Sequence, residues 1–315
     1  MKSGALSAPV AARTGDLATG VLCGLAVALI WSGWSVATRF AVTTNLRPQD
    51  VTFLRFGVSA LLLWPILARK GLGLAEVGVV RMLVMLVGAG VPFMLLGSIG
   101  MRYAPAAHVA TLMIGAMPIF VALLMVAFFG ERFSRLQTLG IGSVVIGVAC
   151  IGGYALVMNR AAGEWRGDLL FMLAGLLFAS FTIAQRRSGI SPWHATALVN
   201  VGSAVLFTPI YFLWLEPRIF TAPLPAVAFQ VVAQGVFVAI LGMYFYAQAV
   251  RRLGAARGAI FGALAPAFAV LLGMLVLDEY PAAITVAGIV LVMGGVLLVV
   301  NGARAKPTGH SPPKR

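Results

Sequence analysis

Ten apolar stretches separated by short loops leave this chain a narrow choice of folds. A helix that crosses a bilayer needs roughly 20 apolar residues, so ten of them fill most of the 315 positions. No length remains for a separate soluble domain. Hydrophobic residues make up 61% of the chain and charged residues 10%, with a mean hydropathy of +0.99; a soluble domain carries about 25% charged residues. Water cannot be the main solvent of such a surface. In hydrocarbon the backbone must bond to itself, which for runs of this length means helices. The expected fold is therefore an all-α membrane protein with spans at 17–42, 49–69, 77–101, 105–128, 136–158, 167–187, 193–215, 226–250, 254–277 and 281–301.

The second half repeats the first. Pro118 and Glu131 are separated by 13 residues, as are Pro266 and Glu279, and the two pairs are offset by 148 (266 − 118). In that register Gly140 falls on Gly288 and Gly147 on Gly295. The repeats are 17–158 and 167–301, joined by a linker at 159–166, with terminal segments 1–16 and 302–315. Each half holds five spans. An odd count makes the two halves enter the membrane in opposite senses, an arrangement that places a site between them near the bilayer midplane.

Charge fixes the orientation. With the N-terminus inside, sixteen Lys and Arg residues fall on inner segments and six (Arg39, Arg47, Arg102, Arg160, Arg166 and Arg218) on outer ones. The positive-inside rule then puts both termini in the cytoplasm. It also sends the loop of Glu131, with Arg132 and Arg135, inward, and the loop of Asp278 and Glu279, with no basic neighbour, outward. The net charge of +14 is scattered over helix ends, so it reads as topology rather than as a nucleic-acid surface.

Local signals mark the breaks. Pro105, Pro192 and Pro281 suit first helical turns, Ser191 is a candidate N-cap, and Ser134 with Gln137 forms the spacing of a capping box. Cys23 and Cys150 fall inside spans and read as small hydrophobes. The first 16 residues lack the short apolar core of a secretory signal, so span 1 is expected to be retained.

Several motifs in this order resemble the drug/metabolite transporter superfamily, in its ten-helix EamA branch. They are Trp31-Ser32-Gly33-Trp34 in the first span, Arg55-Phe56 in the second, and Pro118 followed by Gly130-Glu131 at the end of the fourth. The second repeat adds Gly167-Asp168 leading to Arg186-Arg187, then Leu253-Gly254-Ala255-Ala256-Arg257 through Pro266 to Asp278-Glu279. Ser32-Gly33 departs from the usual order after the first Trp. The resemblance covers about residues 17–301. It implies a permease of the bacterial inner membrane, usually an exporter of small metabolites, working by alternating access. Its partners would be a small-molecule substrate and the lipid bilayer, with no cofactor; a monomer is compatible with everything in the sequence.

Ionisable and aromatic residues within the spans are the candidates for function. The nine acidic residues all fall at helix ends or in loops, which predicts no carboxylate near a span centre and no acidic cluster for a multivalent cation. Glu131 and Glu279 precede spans 5 and 10, where a carboxylate favours the positive helix end; each is a cap or loop anchor, or a gating group. Arg55 lies inside span 2 and either snorkels outward or contacts an anionic solute; Arg257 has the same two readings. His108 lies one turn into span 4, as a satisfied polar contact or as a proton-coupling group. Trp165, Trp193 and Trp214 lie at span ends and suit the interface, but Trp31 and Trp34 lie mid-span. At an offset of 147 they align with Phe178 and Phe181 of span 6. These four either face lipid or line a cavity to which Gln185, Tyr244, Tyr246 and Gln248 supply hydrogen bonds, suited to an uncharged or zwitterionic amphipath. Pro118 and Pro266 interrupt spans 4 and 9 at equivalent points and are candidate hinges. Gly254, Gly258 and Gly262 form a small-residue packing face. An intramembrane enzyme is disfavoured, since the His-Glu-x-x-His zinc motif is missing; a membrane scaffold without transport is the other alternative.

Overall fold

The computed structural model describes residues 14–130, 133–158, 163–253, 261 and 264–304. The helices follow the predicted spans closely: α1 Thr14–Thr44, α2 Pro48–Lys70, α3 Val79–Gly100, α4 Ala106–Phe129 and α5 Arg135–Val157. The second half holds α6 Glu164–Arg187, α7 Pro192–Trp214, α8 (the segments Leu224–Gln230, Val231–Gly242 and Met243–Leu253), α9 Ala265–Leu277 and α10 Ala283–Arg304. Among the described residues nine helices are long and apolar enough to cross a membrane, and Ala265–Leu277 is a shorter tenth. Arg257 and the glycines at 254, 258 and 262 fall outside the described residues, as does Glu131.

The two predicted caps form, and Pro192 opens α7, whereas Pro105 stands at the N-cap of α4 and Pro281 lies before α10, which starts at Ala283. The Gln137 amide donates to Ser134 Oγ at 3.2 Å and the Ser134 amide to Gln137 Oε1 at 2.8 Å, closing the capping box of α5. Ser191 accepts from the His194 amide at 3.3 Å and caps α7. Large apolar side chains such as Leu61, Val80, Leu213 and Leu275 are exposed; on helices of this hydropathy they form the surface that meets lipid.

The helix breaks are less regular than the sequence suggests. Gly90 splits α3 into Val79–Ala89 and Val91–Gly100. In α4 the stretch Val109–Gly115 winds as a π-helix, and the Ala116 amide reaches back five residues to the Thr111 carbonyl at 2.9 Å. A new α-helical segment then starts at Met117, with Pro118 in its first turn; Pro266 occupies the same place in α9. Both prolines thus stand where their missing amide costs nothing.

Helices α5 and α10 form the most extensive contact between the halves, and their crossing carries the inverted symmetry. A Cβ at Gly140 would lie 2.5 Å from the carbonyl oxygen of Gly295, and one at Gly147 would lie 2.6 Å from that of Gly288. The repeat register exchanges Gly140 with Gly288 and Gly147 with Gly295, so it turns the first contact into the second. Ser143 Oγ donates to Leu291 O at 2.8 Å between them, and these two residues are each other's equivalents. Only a two-fold axis perpendicular to antiparallel helices gives this pattern. The missing side chains let the backbones approach this closely. Gly147→Ala is therefore expected to destabilise the protein by about 1–3 kcal/mol through overpacking, although alanine is the better helix former by about 1 kcal/mol. A melting temperature at or above wild type in detergent would contradict this.

The halves also exchange their first helices. Helix α1 packs chiefly on α8 and α9, and α6 on α3 and α4, while α2 packs on α7. Residues of α1 and α6 therefore meet the opposite repeat.

Candidate functional site

A cavity of about 450 Å³ opens where the end of α1, the starts of α4 and α6 and the α9–α10 connection converge. Its lining includes Arg39, His108, Tyr154, Glu164, Glu279, Tyr280 and Thr285. Both halves contribute charge to it, and two linked polar clusters form its walls.

The first cluster centres on Glu279. Its Oε1 accepts from Arg39 Nε at 2.7 Å, and its Oε2 accepts from the Ala106 amide at 3.0 Å. Arg39 Nη1 also donates to the Met101 carbonyl. One carboxylate thus ties α1 to the first residue of α4 across the repeat boundary. The expected place for Glu279 was the N-terminus of α10. The structure corrects this: the unsatisfied amide it meets belongs to α4, because the α9–α10 connection folds over the start of that helix.

The second cluster is buried. His108 Nδ1 lies 2.8 Å from Asp168 Oδ1, with the residues 3% and 5% exposed. Asp168 Oδ2 has no hydrogen-bond partner among the described residues. The sequence predicted carboxylates only at helix ends or in loops, which fits the place of Asp168 but not its burial. Asp168 falls in the second turn of α6, but α3 and α4 cover that turn, so closeness to a helix end does not bring the side chain to water. Asp50 repeats the lesson away from the cavity. It is fully buried, accepting from Tyr211 Oη at 2.6 Å, the Arg47 amide at 2.7 Å and the Arg218 amide at 3.1 Å.

The predicted residues fall into several neighbourhoods. Trp31 is half-buried on α1 and meets Tyr246 of α8 with ring centroids 5.7 Å apart. Trp34 is buried, its Nε1 has no partner among the described residues, and the Arg55 guanidinium lies 5.7 Å from its ring centroid. Arg55 is turned inward, where Nη1 donates to Gln234 Oε1 at 3.4 Å. Gln234 Nε2 in turn donates to Thr38 Oγ1 at 2.9 Å and Gln230 Oε1 at 3.1 Å, and Gln230 Nε2 to the Ala37 carbonyl at 2.8 Å. This buried ladder between α1, α2 and α8 had no sequence signal beyond two glutamines four residues apart in an apolar span. Phe178 packs on Phe93 of α3 and on Phe181 at 5.1 and 5.2 Å between centroids. Trp31 and Phe178 thus occupy equivalent places, each against the third helix of the other repeat. Gln185 and Gln248 are half-buried, and Tyr244 is exposed.

Arg39 and Asp168 are the site residues the sequence did not single out. Arg39 read as an outer-face topology charge, and Glu279 as a cap, a loop anchor or a gating group. Among the described residues no group of three His, Cys, Asp or Glu side chains could hold a metal ion.

The model of the EamA-like transporter family matches residues 18–153 and again 165–301, one copy for each half. The chain belongs to the EamA-like transporter family. This EamA-like protein matches no functionally curated protein at a significant level. It resembles a solved crystal structure, described only as that of a protein, with a TM-score of 0.60 and 21% identity, over 92% of this chain and 99% of the other. At that identity the likeness establishes the shared fold of the EamA-like chain alone.

Proposed function

We propose that this EamA-like transporter is a secondary permease of the bacterial inner membrane, with both termini cytoplasmic, that exports small metabolites such as an amino acid or a similar amphipathic solute. The observation that carries the reading is the charged cavity bounded by two halves related by the α5–α10 two-fold. In a site between inverted repeats, each half can move against the other so that access alternates between faces. With the charge-derived orientation, Arg39, His108 and Glu279 lie toward the periplasmic side. Trp31, Trp34, Phe178 and Phe181, with Gln185, Tyr244, Tyr246 and Gln248, would form the deeper part of the solute path. Arg55 and Arg257 are the candidate contacts for an anionic group, His108 the candidate coupling residue, and Pro118 and Pro266 the hinges.

Counterflow in proteoliposomes tests this directly. Vesicles preloaded with an equimolar mixture of the twenty amino acids should take up the labelled mixture transiently above equilibrium. Trp34→Ala should raise the half-saturation concentration about tenfold, equivalent to about 1.4 kcal/mol of lost binding. Trp34→Phe, which keeps most of the core volume, guards against mere unfolding. Pro118→Ala with Pro266→Ala should slow turnover. Wild-type kinetics in the tryptophan variants would move the site elsewhere, and no counterflow in the wild type would refute amino-acid transport.

A further inference from the structure

The His108–Asp168 pair is the least accessible ionisable pair in contact with the cavity, and no other described residue donates to its free carboxylate oxygen. His108 belongs to the cavity lining and has one ring nitrogen, Nδ1, committed to Asp168. Asp168 Oδ2 is buried with no hydrogen-bond donor among the described residues. A buried carboxylate lacking half its donors is costly unless a positive charge lies against it, and His108 is the group placed to supply that charge. Histidine is also the side chain whose charge ordinarily changes between about pH 5 and 8. Ionisable groups held inside a membrane protein are costly and commonly mark substrate, ion or proton paths.

We infer that the His108–Asp168 pair is the proton-binding site that couples transport to the proton gradient, one proton being exchanged for one solute carrying an ammonium group. In the loaded state His108 is imidazolium, its Nδ1–H donates to Asp168, and the pair is neutral. Release of the Nε2 proton to cavity water leaves a neutral imidazole that still donates Nδ1–H to the carboxylate, and the pair carries one negative charge. That charge on the cavity wall draws an ammonium group; reprotonation of Nε2 cancels it and lets the solute go. The other charged or titratable groups facing His108 across the cavity are Glu164 of α6, Arg39 of α1, Tyr154 of α5, and Glu279 with Tyr280 of the α9–α10 connection. Arg39 and Glu279 neutralise each other through their 2.7 Å ion pair, so the charge of the buried pair is not offset by that bridge. The inference rests on the permease reading above and adds its coupling ion and the charge class of its solute.

Two measurements test it. Proteoliposomes with no membrane potential and a one-unit pH gradient, acid on the inside, should accumulate basic and neutral amino acids from the twenty-component mixture. At one proton per solute the ceiling is about tenfold accumulation. The ratio of uptake with the gradient to uptake without it should fall to about one in His108→Gln and in Asp168→Asn, a readout that lower expression does not imitate. Wild-type counterflow without any response to the gradient would leave the permease and overturn the coupling. A gradient response that survives in both variants would overturn the pair as its site. The second measurement needs no solute: nitrogen NMR of histidine-labelled protein in lipid nanodiscs, with the His108 signal identified by its loss in His108→Gln. That signal should pass from imidazolium to the Nδ1–H tautomer as the pH is raised. A charge state that never changes while the protein stays folded would overturn the proposal even if no amino acid were transported.

Discussion

Asp50→Ala is expected to be the most destabilising single substitution considered, at about 3–5 kcal/mol. Its carboxylate is fully buried and accepts from the Tyr211 hydroxyl and from the Arg47 and Arg218 amides. Removing it strands three donors at once, and each unsatisfied buried group costs about 1–3 kcal/mol. The loss falls on the α2–α7 contact, since Tyr211 lies on α7 and also stacks on Phe53 of α2, with centroids 4.4 Å apart. Asp50→Asn should cost less, because one amide oxygen still accepts from Tyr211. Cys23 and Cys150 are free thiols, buried and half-buried, so a thiol-reactive dye will report thermal unfolding in detergent. Equal melting temperatures for Asp50→Ala and wild type would show that this network contributes nothing to stability.

Glu279→Ala should have the largest effect on transport outside the buried His–Asp pair. The substitution releases α1 from the start of α4 by freeing the Arg39 guanidinium and the Ala106 amide together. Both side chains of the bridge are 18% exposed, so water screens part of the loss, and about 2 kcal/mol is the appropriate scale rather than the larger cost of a fully buried pair. Glu279→Gln separates the two roles. Its amide oxygen can still accept from Ala106, but it has no charge for Arg39. If the bridge holds the outer end of the cavity closed, Glu279→Ala should shift accessibility of single cysteines placed in that cavity, and counterflow should fall about tenfold or more. Glu279→Gln should fall between that variant and wild type. Unaltered transport in both would reduce Glu279 to a loop anchor.

Much of the fold was legible because its signals are local or periodic. A span is a matter of apolar length, and Ser134 with Gln137 needs only a spacing of three. The helix irregularities were less legible. Nothing in Val109–Gly115 marks a π-helix as against an α-helix, since the difference lies in how the turn accommodates packing against α6 and α9. Equally, the position of Asp168 near a helix start said nothing of its depth, which depends on what covers that turn.

The duplicated Pro-to-Glu spacing and the odd span count by themselves determined an inverted repeat, and the distribution of Lys and Arg supplies the orientation proposed for it. Both properties are additive along the chain, so they survive without knowledge of contacts. Tertiary structure alone decided the site. His108 and Asp168 are 60 residues apart, Asp50 and Tyr211 are 161 apart, and Arg39 and Glu279 are 240 apart. In each case a buried or half-buried charge finds a partner from a distant helix. Such a pairing depends on how the halves interlock, with α6 laid against α3 and α4 and the α9–α10 connection folded over the start of α4.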